Sequence, residues 1–260
     1  MNQRAILEIN RPRFHLPVMR GVIERRILVN FRCEPAALAG LLPKPFRPKL
    51  VKGWGMAGIC LIRLGGMALA FMPMRCGLTS ENAAHRIAVE WDEDGLVREG
   101  VFIPRRDTNA LLNRLAGGTI FPGVHQAANF SVVETGERFE IGMKGRDGRT
   151  RVQVCARLAD GLPADSVFGS LAEASEFFRA GALGWSAKPG KEDFDGLELH
   201  CREWRMEPLV VDKVESNFFG DRDLFPNGSA VFDCALLMRN IPHEWHARGQ
   251  LRIKEMEVVE

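Results

Sequence analysis

No C-x-x-C pair occurs among the six cysteines, which are scattered at positions 33, 60, 76, 155, 201 and 234. Neither a disulfide framework nor a paired-cysteine metal site is therefore indicated. No secretory signal pattern opens the chain, and the expectation is a cytoplasmic protein with reduced thiols, several of them buried in strands. Excess charge of one sign is also scarce, since 35 Lys and Arg face 33 Asp and Glu for a net charge of +2. That is too little for a general nucleic-acid binder. Arg4, Arg11, Arg13, Arg20, Arg25, Arg26 and Arg32 do make the first segment basic, but they alternate with Ile6, Phe14, Val22, Ile27 and Phe31. Such alternation suits half-exposed strands better than a patch that tracks phosphates. A long uninterrupted apolar run is missing too. The most apolar stretch, Gly55 to Met74, carries Arg63 near its middle and is broken by four glycines. It reads as one or two core strands joined by a Gly65-Gly66 turn, and no membrane span is expected.

Several catalytic signatures are absent or out of context. Without a G-x-S-x-G elbow, Ser166 and Ser216 have no support as esterase nucleophiles. H-E-x-x-H is lacking; His243-Glu244-Trp245-His246 puts two histidines three apart, as on one helical face, yet no third ligand is evident and no metal is expected. Gly53-Trp54-Gly55-Met56-Ala57-Gly58 satisfies G-x-G-x-x-G, but Ile59-Cys60-Leu61-Ile62 follows as a strand. The βαβ context of a dinucleotide site is missing, and no cofactor is expected.

What the chain does contain is apolar residues in strand patterns. With 260 residues, 46% of them apolar, it can bury a full core as one domain spanning residues 1–260. Alternation over Ala127–Glu134, Thr150–Leu158, Leu197–Met206, Pro208–Val214 and Val231–Met238 predicts strands, with Arg146-Asp147-Gly148 as a hairpin turn and Pro189 to Asp193 as a polar loop. Helices are few: Glu34 to Leu42, with proline in its first turn, and a segment opened by a Ser170/Glu173 capping box and closed near Gly181.

Residues Gly100 to Asn109, G-V-F-I-P-R-R-D-T-N, are the most informative segment. Val97 to Ile103 has the composition of a strand and is expected to stop at Pro104. Asp107 or Thr108 can cap a helix with Leu111, Leu112 and Leu115 on one side and Gly117-Gly118 at its end. Arg105 and Arg106 at such a handover favour a carboxylate or phosphate. The alternative is a pairing with Asp107 or Glu99 on one side and water on the other.

Together with F-P-G-V-H at Phe121–His125, S-L-A-E-A-S-E-F-F at Ser170–Phe178 and D-C-A-L-L-M-R at Asp233–Arg239, this segment resembles the YqjF-like bacterial family. The resemblance runs from about Arg25 to Trp245. That family is placed with the acetoacetate-decarboxylase-like proteins, which implies a mainly β (α+β) fold: a strongly curved, mostly antiparallel sheet or barrel enclosing a cavity, with a few peripheral helices. In the decarboxylases the matching pattern ends in two lysines, the first forming a Schiff base with a keto acid. Here both positions are arginines, Arg105 and Arg106. An arginine stays protonated and forms no carbinolamine, so decarboxylation through an imine at this place is excluded chemically. A positive field for a small anionic organic molecule remains.

The decarboxylases also carry a glutamate in a Tyr-x-Glu pattern. This chain has no tyrosine, and Glu81 and Glu90 are the nearest candidates. If Ile87 and Val89 face one way, Arg86, Ala88 and Glu90 share the other face, where an arginine and a carboxylate can orient a polar ligand or move a proton, or form an outer ion pair. His125 lies just before the Ala127–Glu134 strand. Near two guanidiniums it becomes a neutral base or hydrogen-bond partner, although a structural histidine has the same sequence signature. Lys213 is the lysine in the best strand pattern, expected to face outward beside Asp212. The candidate set is thus Glu81, Glu90 and His125 for proton transfer and Arg86, Arg105 and Arg106 for binding, in an enzyme or in a non-catalytic binding, sensing or structural module; a homo-oligomer is compatible with either.

Overall fold

The computed structural model describes residues 6–10, 18–72, 77–110, 123–188 and 193–254. In chain order the elements are β1 (Ile6–Asn10), β2 (Met19–Cys33), α1 (Pro35–Ala39), β3 (Arg47–Pro48), β4 (Leu50–Val51), β5 (Trp54–Leu69), β6 (Leu78–Glu93), β7 (Leu96–Thr108), β8 (His125–Thr135), β9 (Arg138–Gly145), β10 (Arg151–Leu158), α2 (Leu171–Ala180), β11 (Leu183–Ala187), β12 (Asp193–Cys201), β13 (Glu207–Ser216) and β14 (Ala230–Lys254). All strands join one mixed sheet, antiparallel except for the parallel pairs β7–β8 and β7–β11. The expected mainly β, strongly curved architecture is what forms.

A band of five long strands, β14-β2-β5-β6-β7, is the backbone of the fold. Its two outer strands are linked twice. One link runs β7-β8-β9-β10-β13-β14, and a shorter one runs β7-β11-β12-β14. The 25 residues of β14 make this possible, since Glu207–Leu209 pair with Ala235–Leu237 while Asp193–Cys201 pair further along, with His243–Arg252.

Because both faces of the band are covered, its strands are apolar nearly throughout rather than alternating. In β2, Ile27, Val29 and Phe31 enter one core with Ile59, Ile87, Phe139, Ile141 and Val154. Leu28 enters a second core with Met56, Cys60, Ile62, Val167 and the α2 residues Ala174 and Phe178. The α2 helix is set by its cap: Ser170 Oγ accepts from the Glu173 amide at 3.1 Å, and Glu173 Oε2 accepts from the Gly169 amide at 2.6 Å.

Several expected boundaries move. Strand β5 is continuous through Gly65 and Gly66, with no turn there. An extra residue in β5 opposite Gly21 is absorbed as a bulge, with Gly66 at φ 60°. Strand β7 does not stop at Pro104 but continues to Thr108. Ile103 and Pro104 together oppose the single residue Arg86, since His85 pairs with Arg105 and Ile87 with Phe102. A bulge is one of the few places in a sheet that accepts proline, which has no N–H for the ladder. His243 to His246 lie in β14 rather than in a helix, so the two histidines fall on opposite faces. The strand read as Leu197–Met206 is Asp193–Cys201. The predicted helix with Leu111, Leu112, Leu115 and Gly117-Gly118, residues Phe121-Pro122 and most of the Pro189 loop lie outside the described residues.

Candidate functional site

The bulge at Pro104 decides which arginine faces which way. Val101 and Ile103 line a cavity of about 120 Å³ on the second-core side of the band; with simple alternation Arg105 would follow them. The extra residue shifts the phase, and Arg106 lines the cavity instead. Strand β2 repeats the device. Glu24 has no partner residue in β5, because Ile23 pairs with Leu64 and Arg25 with Arg63. Immediately after that bulge, Arg26 lines the same cavity while Arg25 turns away from it. Two Arg-Arg doublets, each just past a bulge, are thereby split between the two faces of the band.

The arginines turned away from the cavity are matched by acids. Arg105 donates to both oxygens of the fully buried Asp107, at 2.7 to 3.1 Å, and to Asp147 at 2.9 and 3.1 Å. Burial opposes its charge, but the hydrogen bonds of Asp107 and Asp147 outweigh that and raise its pKa. Arg25, only 2% exposed, donates to Glu81 at 2.5 Å and to Glu134. Beside it lies an open groove of about 700 Å³, lined by Arg25, Arg63 and Arg239 together with Glu24 and Glu134. There Arg63 pairs with Glu24 at 2.7 Å and Arg239 with Glu207 at 2.8 Å.

The arginines lining the cavity have no carboxylate partner among the described residues. Arg26 donates to Cys60 Sγ at 3.4 Å and to Met238 Sδ at 3.6 Å, Arg86 to Asn30 Oδ1 at 2.5 Å, and Arg106 to Ser186 Oγ at 3.2 Å. Arg86 also lies over the Phe178 ring, 4.9 Å from its centroid. Its Nε is buried without a hydrogen-bond partner. Burial pulls both Arg86 and Arg106 down to about 10, which leaves them charged at neutral pH. The remaining wall is mostly apolar, with Ile62, Leu64 and Met67 from β5, Leu197 and Leu199 from β12, and Trp245 from β14; Asn82 of β6 and Asp107 of β7, the latter bound to Arg105, also border it.

His125 joins this cavity. It pairs with Arg106 across the parallel β7–β8 ladder, and burial followed by the Arg106 charge pulls it down to about 4. The imidazole is therefore neutral at pH 7. Gly123, two residues earlier, has φ 83°, and a Cβ there would come within 2.8 Å of Ser186 Cβ and 3.3 Å of Arg106 Nε. Only glycine fits a left-handed backbone this close to the guanidinium.

Of the six candidate residues, the structure thus gathers Arg86, Arg106 and His125. Arg105 and Glu81 lie in the acid-matched arrays. Glu90 pairs with Arg47 at 3.5 Å, both partly exposed, and Arg86 turns to Asn30 rather than to Glu90. Lys213 is exposed and pairs with Glu215 rather than Asp212. Arg26 and Asn30, with Cys60 and Ser186, line or support the cavity and are not in the sequence-derived set. The signal was present in Arg26, the second member of an Arg-Arg doublet embedded in the apolar run of β2; Asn30, the lone amide of that run, was the other clue.

This architecture is the acetoacetate-decarboxylase-like fold. The chain superposes on an acetoacetate decarboxylase-like enzyme from Sphingomonas wittichii with a TM-score of 0.55, at 11% identity over 94% of this chain and 95% of that one. Acetoacetate decarboxylase from Legionella pneumophila gives 0.56 at 10% identity, covering 94% and 92%. The enduracididine biosynthesis enzyme MppR, in complex with pyruvate, gives 0.57 at 11% identity, covering 95% and 92%. No family model matches the chain, and no curated protein sequence matches it. No helix among the described residues is long and apolar enough to cross a membrane.

Proposed function

We propose that this protein, a YqjF-like member of the decarboxylase-like superfamily folding as one domain, binds a small carboxylate in the cavity lined by Arg26, Arg86 and Arg106. The observation that carries the reading is three guanidiniums bordering one small cavity with only neutral hydrogen-bond partners, the carboxylate that also borders it, Asp107, being engaged by Arg105. Isolated buried charges of one sign are costly, and an anion that accepts from them removes that cost. The apolar wall suits a short carbon skeleton, and the pyruvate held by MppR is of this size and class. Among the described residues no lysine lines the cavity, so the reading contains no imine. His125, neutral and beside Arg106, is the group that would accept a proton from a bound substrate.

Thermal unfolding and calorimetry with a panel of short organic acids test this. A binder should stabilise the chain by about 2.7 kcal/mol at one hundred times its Kd, and Arg106→Leu should cut that gain to about 1.4 kcal/mol or less at the same ligand concentration. Equal stabilisation of wild type and Arg106→Leu, or of neither by any acid, would refute the site. Substrate loss in the same panel would separate turnover from the second possibility, binding without chemistry.

A further inference from the structure

Among the described residues Cys60 is the one thiol in the cavity wall, and no step of the proposed binding uses it. It sits on β5 at 7% exposure, lines the cavity, and accepts a hydrogen bond from Arg26 Nε at 3.4 Å. The Arg86 and Arg106 charges both act on it. Arg86, 6% exposed with its Nε unpartnered, shares the cavity wall with this sulfur. Cys33 and Cys234, also buried, do not line this cavity. An anion drawn to the three guanidiniums would share a cavity of about 120 Å³ with this sulfur.

We propose that Cys60 is a covalent attachment site for small carboxylates that carry an electrophilic carbon next to the carboxyl group. The inference rests on the carboxylate reading of this cavity. With the carboxylate on the guanidiniums, the adjacent carbon meets Sγ. Sulfur forms a bond to that carbon, the leaving group departs with its bonding pair, and the thiol proton passes to water. Nothing is oxidised or reduced. Holding both reactants in one small space replaces a bimolecular encounter, which is where the rate gain arises.

Iodoacetate and iodoacetamide present the same electrophilic carbon with and without the charge. In the intact protein, mass spectrometry of Cys60 should show iodoacetate reacting at least tenfold faster than iodoacetamide, whereas Cys155 in the same digest shows no preference for the anion. Arg86→Gln should erase the preference at Cys60. Equal or slower labelling of wild-type Cys60 by iodoacetate overturns the proposal without recourse to any variant. If organic acids stabilise the protein through Arg106 while Cys60 shows no anionic preference, attachment fails and the binding reading stands. If no acid binds and the preference is absent, both fail together.

Discussion

Arg105 and Arg106 are chemically identical neighbours in one strand, yet they live in opposite electrostatic settings. Arg105 is held by two aspartates, one of them fully buried, and opposite it on β6 stands His85. Arg106 meets a serine hydroxyl and the edge of a cavity, and its ladder neighbour is His125. Arg25 and Arg26 repeat the contrast, the first between Glu81 and Glu134, the second between two sulfur atoms. A matched guanidinium is part of the architecture. An unmatched one stays charged against the cost of burial, because guanidinium is so strong a base, and is left for something else to neutralise.

The contrast breaks most visibly at Asp107. Changing Asp107→Asn leaves Arg105 with only the partly exposed Asp147, and denaturant unfolding should show a loss of about 3 kcal/mol, typical of a severed buried ion pair. Acid should have a comparable effect through the histidines. His85 is 1% exposed, with burial and then Arg105 pulling it down to about 4. A folded value below the unfolded one means that stability is present above about pH 6.5 and drains away as the pH falls towards 4. His85→Phe should remove about 3 kcal/mol of that pH dependence, read as the difference in unfolding free energy between pH 7 and pH 4.

Arg106→Leu tests the other side. Replacing an unmatched buried cation with an apolar side chain should change unfolding free energy by no more than about 1 kcal/mol. The same change should weaken carboxylate binding by at least about tenfold, the scale of one lost charge-assisted hydrogen bond. Arg105→Leu should invert that pattern. The smallest effect belongs to Glu90→Gln, which breaks a partly exposed pair with Arg47 and should cost less than about 0.5 kcal/mol with binding unchanged. A large binding defect there would return Glu90 to the site.

Much of this was legible in the sequence. Apolar runs bounded by turn residues identify most strands, the Ser170/Glu173 box locates α2, and Pro35 locates α1. The motif series pointed to the curved-sheet fold, and the arginine doublet pointed to Arg106. What could not be read was the phase. Alternation assigns facing only within an uninterrupted strand, and an unmarked extra residue reverses everything downstream. Pro104 looked like a terminator because proline usually is one, and its tolerance depends on Arg86 being the single residue opposite. Glu24 carries no bulge signature at all, so Arg26 could not be told from Arg25. Glu81 was named for its resemblance to a pattern, but its partner Arg25 and the more distant Glu134 come together only when the sheet curves.

The two-for-one mismatch at Pro104 acts as a spacer and not as a switch. Without Pro104, Ile103 alone would oppose Arg86, Arg105 would still oppose His85 and Arg106 would still oppose Ala84. The ladder would then alternate without interruption, and the same guanidinium would face the ligand space. A chain that lacks this one residue can therefore keep the same frame, so motifs of different length can present the same position to the cavity.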